Sequence, residues 1–99
     1  MFMVLSRFVV ANGMEDEVRA AFAARPHQVD QAPGFLRMEV MQPQGQPEEF
    51  WLLTWWQDEA SFDAWHRGHA YHEAHQGMPK GLKLVPGANE LKRFALVAQ

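Results

Sequence analysis

Cysteine is absent from this chain. Its absence excludes disulfide bridges, thiolate nucleophiles and cysteine-ligated zinc or iron–sulfur centres, while leaving the compartment open. Positive charge is in short supply, with nine Lys and Arg against twelve Asp and Glu and a net charge of −3, which argues against nucleic acid as a partner. Long hydrophobic runs are also missing. Met1 to Val10 is apolar but broken by Arg7, and it falls far short of the roughly 20 residues that span a bilayer. It lacks the basic start and small-residue cleavage site of a signal peptide, so the expected location is cytoplasmic, with no membrane partner. No glycine-rich phosphate loop, dinucleotide fingerprint, repeat or low-complexity tract occurs. What remains is 99 residues with 47% hydrophobic and 21% charged content, which reads as one folded domain over residues 1–99. A chain this short leaves much of its surface unburied, so a second subunit would help it.

The richest stretch is Phe50 to His75, which holds all four tryptophans and four of the five histidines. Around it the chain reads as alternating elements. Phe2 to Ala11 is β-branched and aromatic, a strand whose alternation puts Phe2, Val4, Ser6, Phe8 and Val10 on one face and Met3, Leu5, Arg7, Val9 and Ala11 on the other. Asn12-Gly13 is a turn, with Asn12 a candidate helix N-cap. Glu15, Asp16 and Glu17 complement the dipole of a first helix whose apolar positions are Met14, Val18, Ala21 and Phe22. Pro26 kinks or ends it, and Ala32-Pro33-Gly34 is a firm break. Phe35 to Met41 and Glu49 to Trp56 read as a hairpin of strands joined by a Pro- and Gly-containing turn, the first of them with imperfect parity. Asp58 or Ser61 caps a second helix with Phe62 and Trp65 on its apolar face, and Gly68 breaks it before a short segment, His69 to Gln76. Gly77 to Gly87 reads as a loop, and Glu90 to Ala98 as a last strand.

The order βαββαβ predicts an α+β, ferredoxin-like fold: an antiparallel sheet with both helices on one face. Two helices cover only one side of four strands. The other side would still carry Met3, Leu5, Val9 and part of the Trp-rich strand, each forgoing roughly 1.5–3 kcal/mol if left wet. A second copy packed sheet to sheet solves this, so a homodimer with a central α+β barrel is expected.

His66, His69, His72 and His75 recur every three residues, which drifts about 60° around a helix per step, so only adjacent pairs share a face. The ordinary reading of the first three is solvated helix histidines. His75 differs, lying beside the glycine-rich loop, where a neutral imidazole against an apolar wall can ligate haem iron. Trp65 by periodicity alone is core. Ser6 is the lone polar residue on its strand face. It has no base near it in sequence, so a hydrolase triad is not expected.

Pro-Gly-Phe-x-x-Met at Pro33 to Met38, Leu-x-Thr-x-Trp at Leu52 to Trp56, and Ala-Ser-Phe-Asp-Ala-Trp with the histidines after it, Ala60 to His75, together resemble the antibiotic biosynthesis monooxygenase (ABM) superfamily of dimeric ferredoxin-like barrels. Tryptophan followed ten residues later by histidine is similar to its IsdG-type haem-degrading members. The resemblance implies that His75 is the proximal ligand of haem iron and that Trp65 presses on the porphyrin. Ser6 then stands where the family has an asparagine on the distal side, and Arg7 stands where an arginine often follows. Phe62 and Arg7 join the implied haem-contacting residues. Haem would serve as both substrate and oxygen-activating group, with electrons from an external donor. Serine is shorter than asparagine. Two alternatives therefore stand beside haem degradation: a cofactor-independent ABM monooxygenase acting on a quinol-like aromatic, and a non-enzymatic dimer that binds haem or another small molecule.

Overall fold

The computed structural model describes residues 1–24, 29–68 and 77–99. Its elements are β1 (Phe2–Val9), α1 (Glu15–Ala23), β2 (Phe35–Met41), β3 (Glu49–Trp56), α2 (Glu59–Arg67) and β4 (Glu90–Ala95), with one 3-10 turn at Val29–Gln31. The four strands form one sheet in the order β2-β3-β1-β4, and every pairing is antiparallel.

Register decides which side chains share a face. Phe2, Ser6 and Phe8 of β1 lie opposite Trp56, Leu52 and Phe50 of β3, and Ser6 lies opposite Leu91 of β4 on its other side. On β2 a bulge between Phe35 and Arg37 inserts one residue. Phe35, Met38 and Val40 therefore all turn to the same side, and Leu36 is left 45% exposed. The irregular alternation of that strand in sequence is this bulge.

Both helices pack on the face carrying Phe2, Val4, Phe8 and Phe50. α1 contributes Val18 and Phe22, and α2 contributes Phe62. Phe8 stacks on Phe50 with ring centroids 5.3 Å apart and on Phe22 at 6.3 Å, and Trp56 meets Phe35 and Phe62 edge-on at 5.4 and 5.7 Å. Such rings bury large apolar areas and prefer these offset or edge-on contacts.

Asp58 caps α2, its Oδ1 accepting from the Ser61 backbone N–H at 2.8 Å and from the Ser61 hydroxyl at 2.7 Å. Those bonds hold the Asp58 carboxyl below the usual carboxylate range. α2 stops at Gly68, whose N–H donates to Trp65 O. At α1 the sequence-based expectation fails. Met14, not Asn12, occupies the N-cap and makes no side-chain cap bond. The Asn12 amide reaches across 69 residues instead, donating to Gly81 O at 2.8 Å while its Oδ1 accepts from the Lys83 N–H at 3.3 Å. With Val85 N–H donating to Val9 O and Ala11 N–H to Lys83 O, it stitches the late loop to the end of β1. An amide side chain is satisfied equally well by distant backbone as by a helix end. The last strand also ends early, at Ala95 rather than Ala98.

The opposite face of the sheet carries Met3, Leu5, Val9, Trp51, Leu53 and Trp55, all half-buried, with Met41 and Phe94 exposed. It also holds a charged network. Arg7 Nε donates to Glu49 Oε1 at 2.6 Å, Trp51 Nε1 donates to the same oxygen at 2.9 Å, and Arg7 Nη1 donates to Ala88 O at 2.8 Å. Arg37 lies 3.9 Å over the Trp55 ring. The Arg7 guanidinium holds the buried Glu49 carboxyl below its ordinary range, and Glu49 in turn raises Arg7.

Candidate functional site

The helix-covered core is divided. One cluster gathers Val4, Val29, Trp56 and Phe62, with Phe2, Ala32, Phe35, Met38 and Trp65 packed on it. The other gathers Val10, Val18 and Phe50, with Phe8, Met14, Phe22, Val40, Met78 and Leu82. Between them runs a row of the sheet that belongs to neither: Leu91 of β4, Ser6 of β1 and Leu52 of β3, side by side in register. Leu91 is 45% exposed although it points to the helix side. Ser6 is half-buried, and its hydroxyl has no hydrogen-bond partner among the described residues. Hydroxyls facing a packed interior are normally paired, so an unpaired one at a gap in the apolar packing marks a place for a ligand or water.

Trp65 lies half-buried on one side of this seam, held against the first cluster. On the other side stand Phe22 from α1 and Met78 and Leu82 from the late loop. The seam is therefore flanked by an indole, an aromatic ring, one thioether and a leucine, over a floor with one hydroxyl. Between α1 and the β2 edge is a cavity of about 250 Å³ lined by Arg19, Phe22, Val40, Gln42 and Phe50. Arg19, one of its lining residues, is ion-paired with Asp16 and donates weakly to Gln42 Oε1 at 3.4 Å.

Of the residues singled out in the sequence, the structure brings Ser6 and Trp65 to the same side of the sheet. Phe62 is in the core at 5% exposure, wedged among Phe2, Trp56 and His66. Its ring packs within the helix-covered core. Arg7 is not at the seam. Neighbouring strand residues point to opposite faces, so Arg7 sits on the far side of the sheet, bound to Glu49. His75, with His69 and His72, lies outside the described residues. His66 stacks on Phe62 at 5.3 Å, a packed position where the sequence suggested a solvated one. Among the described residues no three His, Asp or Glu gather as a metal-binding group. The sequence reading did not find Leu52 and Leu91. Only strand register sets them beside Ser6, and no local pattern announces it.

Four antiparallel strands with two helices on one face define a ferredoxin-like α+β scaffold. The family model for antibiotic biosynthesis monooxygenase matches residues 1–77, and the chain belongs to that family. It is 33% identical over 72 residues to the heme oxygenase (mycobilin-producing) of Mycobacterium tuberculosis, covering 71% of this chain and 69% of that one. It superposes on the structure of the heme-degrader MhuD from Mycobacterium tuberculosis, which has two hemes bound in its active site, with a TM-score of 0.79 and 27% identity, covering 100% of this chain and 98% of the other. SnoaB, a cofactor-independent oxygenase from Streptomyces nogalater, shares the fold at a TM-score of 0.78 and 17% identity, covering 99% and 94%. No helix among the described residues is long and apolar enough to cross a membrane.

Proposed function

We propose that this protein is a haem-degrading monooxygenase that takes haem as its substrate in the seam between the two core clusters. What supports this is the divided core, with a Ser6 hydroxyl on its floor that has no hydrogen-bond partner among the described residues and Trp65 beside it, in a chain related to named heme oxygenases. Trp65 acts as a wall against the porphyrin plane. Ser6 would offer the bound haem a hydrogen bond from its hydroxyl, and His75 would hold the haem iron through its imidazole. The apolar lining excludes water, which strengthens that single hydrogen bond. Haem supplies the oxygen-activating iron, and an external donor supplies electrons for the oxygen-dependent ring opening that releases iron. Haemin titration of the purified protein should give a Soret shift, and ascorbate with oxygen should then bleach it with release of iron. If His75→Ala binds haemin as tightly as wild type, the ligand assignment fails.

One observation favours a second reading, oxidation of a quinol-like aromatic without haem. The 250 Å³ cavity under α1 is of single-ring size and lined by Phe22, Val40 and Phe50, with Gln42 at its rim. Turnover of a quinol panel by haem-free protein would establish it. Haemin binding with no spectral change under reductant would leave a haem binder that is not an enzyme.

The active unit we propose is a homodimer joined through the outer sheet face. Met3, Leu5, Leu53, Trp55 and Phe94 are the apolar surface that a second copy would cover. Leu53→Glu places a charge in its middle and should halve the mass seen by sedimentation equilibrium. A wild-type monomer would exclude this arrangement.

A further inference from the structure

We propose that Arg93 is a positioning residue: it sets the rotation of α2 and so the attitude of Trp65 over the seam. This rests on the reading of Trp65 as a wall of the substrate site. Arg93 stands on β4 beside Val4 of β1, two residues from Leu91, and it points to the helix side. Its Nη1 donates to Glu59 Oε2 at 3.0 Å and to Asp63 Oδ1 at 2.7 Å, and its guanidinium lies 5.2 Å from the Phe62 ring centroid. Glu59, Phe62 and Asp63 are spaced i, i+3 and i+4, so one cation grips three neighbours on a single face of α2. Among the described residues, the ion pairs from β4 to α2 are both made by Arg93.

Exposed ion pairs of this kind add little to stability. Their effect here is geometric. Shifting α2 by one residue turns its faces by about 100°, which would carry both carboxylates off the guanidinium. Phe62 is fixed on its other sides by Phe2 at 6.2 Å, Trp56 at 5.7 Å and His66 at 5.3 Å. Trp65 follows Phe62 by three residues and inherits the angle. β4 pairs with β1 alone, and the same register that brings Arg93 to Val4 brings Leu91 to Ser6. The helix bearing the indole is thus referenced to the strand pair that floors the seam.

The test uses haem-free protein labelled with 5-fluorotryptophan, whose four ¹⁹F resonances are assigned by single Trp→Phe variants. In R93Q, well below its Tm, the Trp65 resonance should move or broaden while Trp51 and Trp55 on the outer face stay in place. R93K keeps the charge without the planar fork and should fall between R93Q and wild type. With haemin, R93Q should lose about tenfold in kcat while haemin Kd changes less than about twofold, the signature of misplacement rather than lost binding. A merely stabilising role would lower Tm and leave the Trp65 resonance where it was. An unshifted Trp65 resonance in both variants overturns the proposal, as does a shifted resonance with unaltered turnover. If wild type does not bind haemin, the haem reading fails by itself, and the ¹⁹F comparison still decides whether Arg93 sets the indole.

Discussion

Replacing Gly34 by alanine is expected to be far more damaging than the same change at Gly45, and the structure supplies the size of the difference. Both glycines have φ of +82°. A left-handed backbone costs an L-residue roughly 1–2 kcal/mol, so each substitution starts from that loss. At Gly45 nothing lies within 4 Å of the new Cβ. At Gly34 the new Cβ would sit 2.5 Å from Ser61 Cβ and closer still to its Oγ. Ser61 cannot swing away freely, because its N–H and hydroxyl both donate to Asp58 and cap α2. Nor can Gly34 retreat without breaking the bond from the Gln57 N–H to its carbonyl, at 2.8 Å. Overpacking a tight site adds about 1–3 kcal/mol, giving a total near 3–4 kcal/mol for Gly34→Ala. In a domain of this size each kcal/mol moves Tm by about 4–8 °C. Thermal unfolding at one fixed protein concentration should then show Gly45→Ala down by about 9 °C and Gly34→Ala down by about 15–25 °C. Ser61→Gly removes the clashing atoms, so a double-mutant cycle should return a coupling of about 1–3 kcal/mol. Equal losses at the two glycines, or a coupling near zero, would refute the reasoning. The same contact gives Pro33-Gly34-Phe35 a physical meaning: the backbone there passes too close to the start of α2 for any side chain.

Three further outcomes are expected. The Glu49 carboxyl is held low by Arg7, so its contribution to stability is complete above the unfolded carboxylate pKa of about 4.3 and is lost as pH falls through the lower folded value. Urea midpoints from pH 7 to pH 3 should therefore fall less steeply in Glu49→Gln than in wild type, with Asp58, lowered by Ser61, accounting for part of what remains; parallel acid limbs would contradict this. Phe50→Ala should cost about 3–5 kcal/mol, since the ring is 1% exposed and stacked on Phe8, and Phe50→Leu distinctly less, as read by denaturant unfolding. Ser6→Ala should leave stability nearly unchanged, because the hydroxyl bonds to nothing among the described residues, and should slow haem turnover by about threefold to tenfold, the worth of one hydrogen bond. A stability loss above about 1 kcal/mol would show that the hydroxyl has a structural partner.

Strand and helix order was legible because each element has a strong local cause. β2 and β3 have the bounds that composition and turn residues predict, and Asp58 caps α2 as its position before Ser61 suggests. The faces of β1 follow from alternation, which already separates Ser6 from Arg7. Grouping them in one site came from the family resemblance, and the strand's geometry sets them apart. What stayed hidden depends on partners far away in sequence. The bulge at Phe35 is a choice of register against β3, the Asn12 amide finds its partners around residue 81, and Arg93 meets Glu59 across 34 residues. Ser6 was legible as an odd polar residue. That it lies on the dividing row of the core was not, because the division is a property of which rows the helices cover.

That division has a mechanical side. Among the described residues the two aromatic groups at the ends of the sheet have no apolar neighbours in common, so prising them a little apart would disrupt little of that packing and leave the strand ladder intact. The domain can thus widen at its waist by bending rather than by melting. A bulky planar guest could enter by that route while Trp56 and Phe50, the largest fully buried side chain of each half, stay dry.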